Sequence, residues 1–262
     1  MAPRPLGRTG LSVSPVGLGT VKLGRNTGVK YPAPFALPTA AEARVLLESA
    51  LELGITFYDT APAYGESESR MASFVAAHRD RIVLSTKCGE TYAAGRSTYD
   101  FTAAAITASV EASLRRLGTD HLDLLLLHSD GRDVEILTKT DAVSALRRLK
   151  AQGKVRAVGV SARTAEGIAE ACRSLDVVMA PYSLTDPSLV AALREAHDAG
   201  LGVLAIKTLG SGRLGDRTEP ALTHVLEQPF IDAAVVGTLS PDHLRAAVAA
   251  AEAAGKMDRV AR

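Results

Sequence analysis

The feature that most constrains the fold is a repeat of short apolar runs, each followed by a longer segment with helical periodicity. The runs lie at 13–19, 55–59, 81–87, 122–128, 155–161, 176–182, 201–207 and 232–238. Because they are apolar almost throughout, we expect strands that are buried on both faces, as in a parallel sheet. Amphipathic segments between the runs predict helices, several of which end at a glycine: 41–54, 102–118, 141–153 and 187–200.

Eight strands that alternate with helices predict an α/β fold, a single (β/α)8 TIM barrel. The alternative is a doubly wound sheet, but residues 17–20 (GLGT) lack the GxGxxG spacing expected after its first strand, and we expect no helix immediately after them. The stretch RPLGRTGLSVS predicts a short N-terminal β-hairpin that closes one end of the barrel. No linker or charge block divides the chain, so we expect one domain over residues 1–262.

Charge and cysteine content limit the kinds of partner. A formal net charge of +1 without a long Lys or Arg block argues against nucleic acid or an anionic membrane. The opening MAPRPLGRTG has no apolar core of signal-peptide length, and no stretch approaches a membrane span. Cys88 and Cys172 form no CxxC pair, so we expect reduced thiols and a cytoplasmic location. No metal site is predicted, and the oligomeric state is left open.

Polar residues stand where four consecutive predicted strands end. They are Asp59, Lys87, His128 and Ser161, and Tyr64 follows Asp59 in the motif FYDTAPAYG. The carboxyl ends of barrel strands converge on one face, where barrel enzymes carry out their chemistry. Each residue also has a structural interpretation: Asp59 could cap the next helix, Lys87 could reach solvent, and His128 could bond to backbone.

The chemistry of these side chains is coherent. A lysine beside a tyrosine stabilises the phenolate and so lowers a pKa that is about 10 when unperturbed. A carboxylate keeps the lysine charged, and an imidazole can align a carbonyl oxygen. Together they predict a general acid that protonates a developing alkoxide. Because none of these groups carries hydride, we expect a nicotinamide cofactor and a small-molecule carbonyl substrate.

At this point the chain resembles the aldo-keto reductase family, from about Arg4 to Ala250. The matching stretches are LGRTGLSVSPVGLGT, ALELGITFYDTAPAYGESE, VLSTKCG, SLRRLGTDHLDLLLLH, LKAQGKVRAVGVS and VVGTLSPDHL. The resemblance implies an NADP-dependent reductase of aldehydes or ketones that binds NADP(H), with NAD(H) possible. It places the catalytic tetrad on Asp59, Tyr64, Lys87 and His128, with Tyr64 as the proton donor. Substrate contacts are expected from Lys22, Tyr64 and His128.

The resemblance also implies a cofactor site, which departs from the family pattern. Its positions are Gly19, Thr20, Asp59, Ser161, Met179, Ile206, Lys207, Leu209, Gly212, Gly237, Thr238, Ser240 and His243. The family's Asn after Ser161 is Ala162 here, a common glutamine is Met179, and a phosphate-binding arginine is His243. Ser240-Pro241 still predicts a helix N-terminus suited to phosphate, and 210–214 (GSGRL) a second loop for the pyrophosphate.

Two other functions stay open at this stage. The altered cofactor positions fit a catalytically quiet relative that binds a nucleotide or a partner. An isomerase or aldolase would use Lys87 as a Schiff-base nucleophile. Candidates for the rim of the substrate pocket are Tyr31, Phe35, Tyr92 and the loop 129–132, but loops of this kind do not specify a substrate.

Overall fold

The computed structural model describes residues 1–214 and 217–260, with side chains described up to residue 255. Its strands are β1 (Arg4–Pro5), β2 (Ser12–Val13), β3 (Val16–Gly19), β4 (Phe57–Asp59), β5 (Val83–Cys88), β6 (Glu90–Ala93), β7 (Arg96–Tyr99), β8 (Leu122–His128), β9 (Val155–Ser161), β10 (Val177–Pro181), β11 (Gly202–Ile206) and β12 (Ala233–Val236). Its helices are α1 (Val21–Gly24), α2 (Ala40–Glu52), α3 (Ser67–His78), α4 (Ala103–Leu117), α5 (Asp133–Lys139), α6 (Ala142–Ala151), α7 (Ala165–Ala171), α8 (Val190–Asp198), α9 (Thr218–Leu226) and α10 (Pro241–Val260).

Eight parallel strands close into a barrel in the order β3-β4-β5-β8-β9-β10-β11-β12. Each of the eight predicted runs supplies one of these strands, so the predicted (β/α)8 barrel is confirmed. The predicted N-terminal hairpin is confirmed as well, with β1 pairing antiparallel to β2. It lies at the amino-terminal end of the barrel, where the Gly7 N–H donates to Asp232 at 3.2 Å and the Arg8 N–H donates to the Gly200 carbonyl at 3.1 Å.

The two faces of each barrel strand pack against different layers. In β8, Leu124 and Leu126 point into the barrel, whereas Leu125 and Leu127 pack against the surrounding helices. All four leucines are 0% exposed. This burial on both faces explains why the strands are continuous apolar runs rather than alternating patterns.

The helices begin and end where the sequence provides caps. At α2, the Thr39 hydroxyl accepts from the Glu42 N–H at 3.2 Å and the Glu42 carboxylate accepts from the Thr39 N–H at 2.8 Å, which is a capping box. At α4, the Thr102 side chain caps the first turn, and Gly118 ends the helix in the left-handed region at φ 67°.

Two features differ from expectation. A helix does follow the first barrel strand directly, because the one-turn α1 begins at Val21, so the expectation of no helix there was wrong. The antiparallel hairpin β6–β7 was not predicted; its short, half-exposed strands lack a long apolar run. Within the part of the chain that the structure describes, no helix is both long and apolar enough to cross a membrane.

Candidate active site

A buried ion pair lies at the carboxyl ends of β4 and β5. The Lys87 ammonium donates to Asp59 Oδ2 at 2.6 Å and to the Thr60 carbonyl at 3.0 Å. The Ser85 hydroxyl donates to Asp59 Oδ1 at 3.1 Å. Lys87 is 2% exposed and Asp59 is 3% exposed, so Lys87 does not reach solvent. The Asp59 carboxylate contacts the lysine rather than capping the next turn, whose N-cap residue is Ala61.

The charge of Lys87 follows from its partners. Burial lowers the pKa of the ammonium, but the Asp59 carboxylate and the Tyr64 phenol outweigh it and raise the pKa of Lys87 above its ordinary value. Lys87 is therefore a fixed cation at neutral pH. A Schiff-base nucleophile instead needs a neutral amine, usually obtained by lowering the lysine pKa.

Tyr64 reaches this ion pair because the chain turns sharply after β4. Residues Pro62–Tyr64 form one 3-10 turn, with Pro62 fixing φ at its start. Gly65 follows at φ 60°, and a Cβ there would lie 2.3 Å from the Gly24 carbonyl oxygen, so only glycine fits. The turn sets the Tyr64 ring with its centroid 4.8 Å from the Lys87 ammonium and edge-on to the His128 ring, 6.0 Å between centroids.

The expectation of a lowered pKa for Tyr64 was wrong in this structure. Burial raises the pKa of the Tyr64 phenol more than the Lys87 charge lowers it, and the Asp59 carboxylate raises it further. The net direction is upward, because burial favours the neutral phenol and the acid that fixes the lysine opposes a second negative charge nearby. The resting phenol therefore keeps its proton and is available as a donor.

His128 ends β8 with one ring nitrogen against an acid that the sequence interpretation missed. Its Nδ1 lies 2.7 Å from Oε2 of Glu90, the first residue of β6. The ring is turned so that this contact falls short of ordinary hydrogen-bond geometry, although its distance is that of an ion pair. Burial lowers the pKa of His128, and the Lys87 charge lowers it further, while Glu90 and Asp59 oppose both. The net pKa is lowered, so the imidazole is neutral at neutral pH.

Glu90 is itself held from the side away from His128. The Ser97 hydroxyl donates to Glu90 Oε1 at 2.5 Å across the β6–β7 hairpin, and the Arg25 guanidinium lies 3.9 Å from the same oxygen. Burial alone would raise the pKa of Glu90, but His128, Ser97 and Arg25 outweigh it and lower that pKa to about 2. A polar residue directly after the strand motif STKCG was the one signal that could have indicated this acid.

The positions predicted to face the nicotinamide lie at the carboxyl ends of neighbouring strands. Ser161 of β9 pairs in register with Met179 of β10, and both are buried. Ile206 of β11 packs against the side chains that fill the barrel. Gly19 ends β3, and the buried Thr20 hydroxyl after it donates to the Asp59 carbonyl at 3.0 Å. Ala162 brings no polar side chain here, and its N–H donates to the Met179 carbonyl at 2.8 Å.

The positions predicted to face the phosphates lie after β11 and β12. The Thr238 hydroxyl accepts from the Ser240 N–H at 3.0 Å, and the Ser240 hydroxyl accepts from the His243 N–H at 3.4 Å at the start of α10. Gly237 directly precedes this cap. The N-terminus of a helix directs free N–H groups outward, and such groups bind phosphate.

A second loop, after β11, lies on the side of the site predicted to face the phosphates. Leu209 precedes the 3-10 turn Gly210–Gly212, in which Ser211 has φ 59° and Gly212 has φ 92°. Lys207, at φ 56°, has its pKa lowered by partial burial and by the positive charges of Lys30 and Arg163. The positive charge, the glycine-containing turn and the helix N-terminus fit the pyrophosphate of a dinucleotide.

The candidate rim residues separate into two groups. The Lys22 ammonium lies 4.2 Å from the Tyr31 ring centroid and 5.2 Å from that of Phe35. The Tyr31 hydroxyl lies 2.9 Å from where a Cβ on Gly237 would stand, so Tyr31 borders the predicted cofactor side. Tyr92 instead stacks under the Arg25 guanidinium, 3.4 Å from its ring centroid.

The loop 129–132 is ordered by contacts within it and with the residues that flank it. The Ser129 hydroxyl donates to Asp133, which also accepts from the Thr164 N–H at 2.8 Å. Arg132 and Asp130 form an ion pair at 2.8 Å. The loop is therefore tied to the start of α7 through Asp133. No group of three metal-ligating side chains occurs among the described residues.

Comparison with known proteins identifies relatives over most of the chain. The model of the aldo/keto reductase family matches residues 15–220. A D-threo-aldose 1-dehydrogenase of a Pseudomonas species is 32% identical over 239 residues, which cover 80% of this chain and 70% of that protein. An L-galactose dehydrogenase of Arabidopsis thaliana is 32% identical over 233 residues, or 83% of this chain and 68% of the relative. A Pseudomonas aeruginosa crystal structure assigned to the aldo-keto reductases superposes with a TM-score of 0.88 at 44% identity, covering 96% of this chain and 95% of that one.

Proposed function

Because the chain belongs to the aldo/keto reductase family of nicotinamide-dependent oxidoreductases, we propose that it reduces an aldehyde or ketone to an alcohol with Tyr64 as the proton donor. The observation that carries the proposal is the placement of the Tyr64 phenol ring, 4.8 Å from its centroid to the Lys87 ammonium, beside the buried ion pair of Lys87 and Asp59. Lys87, Asp59 and Tyr64 come from different elements and meet only at the carboxyl-terminal mouth of the barrel.

A reduced nicotinamide, when bound, would supply a hydride to the carbonyl carbon and would itself be oxidised as that carbon is reduced. As the carbon–oxygen double bond opens, the Tyr64 O–H bond breaks and its proton passes to the carbonyl oxygen, which becomes a hydroxyl. The electron pair stays on Tyr64 as a phenolate, and solvent returns the proton after turnover.

Lys87 lowers the cost of this step. The phenolate forms next to a positive charge that Asp59 keeps oriented, and in a buried site such a preorganised charge stabilises the developing anion more than water does. His128 borders the same space with its ring edge toward Tyr64. Lys22 lies close enough to Tyr31 and Phe35 to supply the rim of the substrate pocket.

For the cofactor, we propose a modest preference for NADP(H) over NAD(H). The position expected to carry a phosphate-binding arginine is His243, whose Nδ1 lies 3.2 Å from the Thr238 hydroxyl. Arg245 is paired with Asp242 on the same helix, so its charge is partly neutralised. One weakened phosphate contact supports a preference of about 10-fold, since a well-formed charge-assisted contact contributes about 1.5–3 kcal/mol.

The two alternatives receive less support. A Schiff-base function conflicts with the raised pKa of Lys87 and with its contact to Asp59 at 2.6 Å. A catalytically quiet binding protein would explain why Ala162 and Met179 replace polar residues at the cofactor site. It would not explain the buried ion pair of Lys87 and Asp59 beside the Tyr64 phenol. Missing polar contacts of that kind weaken cofactor binding by about 1 kcal/mol each without removing the site.

The test is a titration of the purified protein with NADPH and NADH, read by cofactor fluorescence, followed by addition of a panel of aldehydes and ketones. We expect saturable binding and carbonyl-dependent loss of the reduced cofactor. A Tyr64→Phe protein is the matched control, because it should bind the cofactor equally well and turn over poorly. Binding without turnover for any carbonyl would support the quiet relative and contradict the reductase.

A further inference from the structure

Tyr31 lies between the two loops that are predicted to hold the phosphates of the cofactor. Its hydroxyl oxygen stands 2.9 Å from where a Cβ on Gly237 would lie, and its Cδ1 atom stands 3.6 Å from where a Cβ on Gly212 would lie. Gly237 follows β12 and Gly212 follows β11, so one ring borders both walls of the predicted cleft. A side chain at position 237 would collide with the hydroxyl, so the glycine there permits the close approach.

The Tyr31 hydroxyl has no hydrogen-bond partner among the residues that the structure describes. Its half-buried ring is packed edge-on to the Phe35 ring, 5.5 Å between centroids, and the Lys22 ammonium lies 4.2 Å from its centroid. Burial, together with the nearby Tyr64 phenol, raises the pKa of Tyr31 to about 12, so the hydroxyl keeps its proton. A half-buried O–H without an acceptor is a donor that an oxygen of a ligand can satisfy.

Tyr31 is carried by a segment that side chains, rather than backbone bonds, hold in place. Within the described part of the chain, no backbone N–H of residues 26–38 donates to a backbone carbonyl. At the base of this segment the Arg25 guanidinium donates to the Thr27 carbonyl at 3.0 Å, and the Asn26 amide donates to the Phe35 carbonyl at 3.2 Å. A segment with so few backbone hydrogen bonds opens at a low cost in free energy, so its tip can move while its base stays anchored.

Resting on the proposed function, we infer that Tyr31 is a further cofactor-binding residue, whose hydroxyl donates to a pyrophosphate oxygen of the dinucleotide, and that residues 26–35 close over the bound cofactor. The walls that Tyr31 borders are those predicted for the pyrophosphate, the turn at 210–212 and the loop that leads into α10. Because the ring spans both walls, the tip of the segment lifts to admit a dinucleotide and then returns. A neutral O–H donor suits the charged phosphate oxygen, which accepts.

Ligands that share the pyrophosphate test this contact without turnover. NADPH, NADH and ADP-ribose are titrated into wild type and Tyr31→Phe, with cofactor fluorescence for the first two and calorimetry for the third. We expect all three dissociation constants to rise about 10-fold, the effect of losing one hydrogen bond to a charged group. Unchanged constants overturn the inference. A loss confined to NADPH would place the hydroxyl at the 2′-phosphate, and a loss that spares ADP-ribose would place it at the nicotinamide; either result overturns it as well.

Tyr182→Phe is the matched control for this titration. It also removes one phenol hydroxyl, but the Tyr182 hydroxyl lies 3.0 Å from Nε2 of His224 on α9 and so already has a partner within the protein. We expect this variant to leave all three dissociation constants unchanged. Equal losses of affinity in Tyr182→Phe and Tyr31→Phe would show a general effect on the fold and would contradict the contact.

Gly237→Ala tests the geometry from the opposite wall. The φ of Gly237 is not in the left-handed region, so alanine brings no backbone strain there, and its Cβ would displace the Tyr31 hydroxyl. We expect Gly237→Ala to raise the dissociation constant of NADH in the wild-type background and to raise it much less in Tyr31→Phe, because both changes remove the same contact. Independent effects that multiply in the double variant would contradict a shared contact.

Hydrogen exchange tests the closing movement. Saturating ADP-ribose should slow amide exchange in peptides that span residues 26–35 of wild type, and it should slow it less in Tyr31→Ala. Exchange that the ligand leaves unaltered contradicts the closing. If wild type binds the three ligands in this Tyr31-dependent way but reduces no carbonyl, the proposed reductase fails while the assignment of Tyr31 stands. If wild type reduces a carbonyl and Tyr31→Phe keeps the wild-type dissociation constants, the reductase stands and the assignment fails. Absence of binding of all three ligands overturns both.

Discussion

Replacing Lys87 with methionine should destabilise the protein, because the Asp59 carboxylate stays buried without its cationic partner. Asp59 is 3% exposed, and its remaining side-chain contact is the Ser85 hydroxyl at 3.1 Å. Removing one partner of a buried ion pair costs about 3–5 kcal/mol. Because one hydrogen bond to the carboxylate survives and methionine fills most of the lysine volume, we expect about 3–4 kcal/mol. For a chain of this length that lowers Tm by roughly 6–16 °C.

The stability lost in Lys87→Met should depend on pH, and it should be smaller at lower pH. In Lys87→Met the folded state holds an unpaired buried carboxylate, so it takes up a proton more readily than the unfolded chain does. Stability relative to wild type therefore recovers as pH falls from 7, until about pH 4, where aspartates of the unfolded chain also protonate. Urea unfolding followed by circular dichroism at several pH values measures this.

The double variant Lys87→Met/Asp59→Asn separates structure from catalysis. It removes both charges, and the asparagine oxygen can still accept from Ser85, so it should be more stable than either single variant, although turnover stays lost. A Lys87→Met protein within 1 kcal/mol of wild type, or a double variant less stable than Lys87→Met, would refute the account of a desolvated pair.

Four further outcomes are expected. Tyr64→Phe should lower kcat by about 100-fold or more, the scale of acid–base catalysis, with little change in the Kd for NADPH; near-normal kcat would show that another group delivers the proton. The ratio of NADH to NADPH dissociation constants should be about 10, because His243 stands where a phosphate-binding arginine is expected; a ratio of several hundred would place the phosphate cations elsewhere. Because the pKa of Glu90 is lowered to about 2, its charge stabilises the fold above the ordinary glutamate pKa of about 4.3, and this contribution disappears as pH falls toward 2. Glu90→Gln should therefore lose less folding stability than wild type as pH falls from about 4.3 toward 2. Equal losses in the two proteins would argue against the contact with His128. Thr39→Ala should cost about 1 kcal/mol in urea unfolding with unchanged kcat, because it removes only the cap of α2.

The barrel could be predicted from sequence because its strands are buried on both faces. In β8 the run LDLLLLH is apolar for a physical reason: successive leucines fill two different layers. The positions of Asp59 and Lys87 at strand ends then followed from the register of neighbouring parallel strands. One domain over residues 1–262 and a cytoplasmic location stay predictions.

The contacts that set charge at the site could not be predicted in the same way. Glu90 contacts His128 because it begins the unpredicted β6–β7 hairpin directly after β5, the barrel strand that pairs with β8. The short polar strands of that hairpin resemble a loop in sequence. The pKa of Tyr64 depends on the balance between burial and Lys87, which spacing along the chain does not reveal. Tyr31 stays a predicted rim residue, and its hydroxyl lies 2.9 Å from where a Cβ on Gly237 would stand, a proximity between distant positions that spacing along the chain does not reveal.

The central claim, hydride transfer to a carbonyl with proton delivery by Tyr64, is tested most directly by isotope transfer. The protein is incubated with NADPH deuterated at the transferring position of the nicotinamide and with an aldehyde, and the alcohol is analysed by mass spectrometry. We expect one deuterium on the former carbonyl carbon in wild type and about 100-fold less labelled alcohol with Tyr64→Phe in the same time. Saturable NADPH binding with no label in any alcohol, or equal labelling by wild type and Tyr64→Phe, would contradict it.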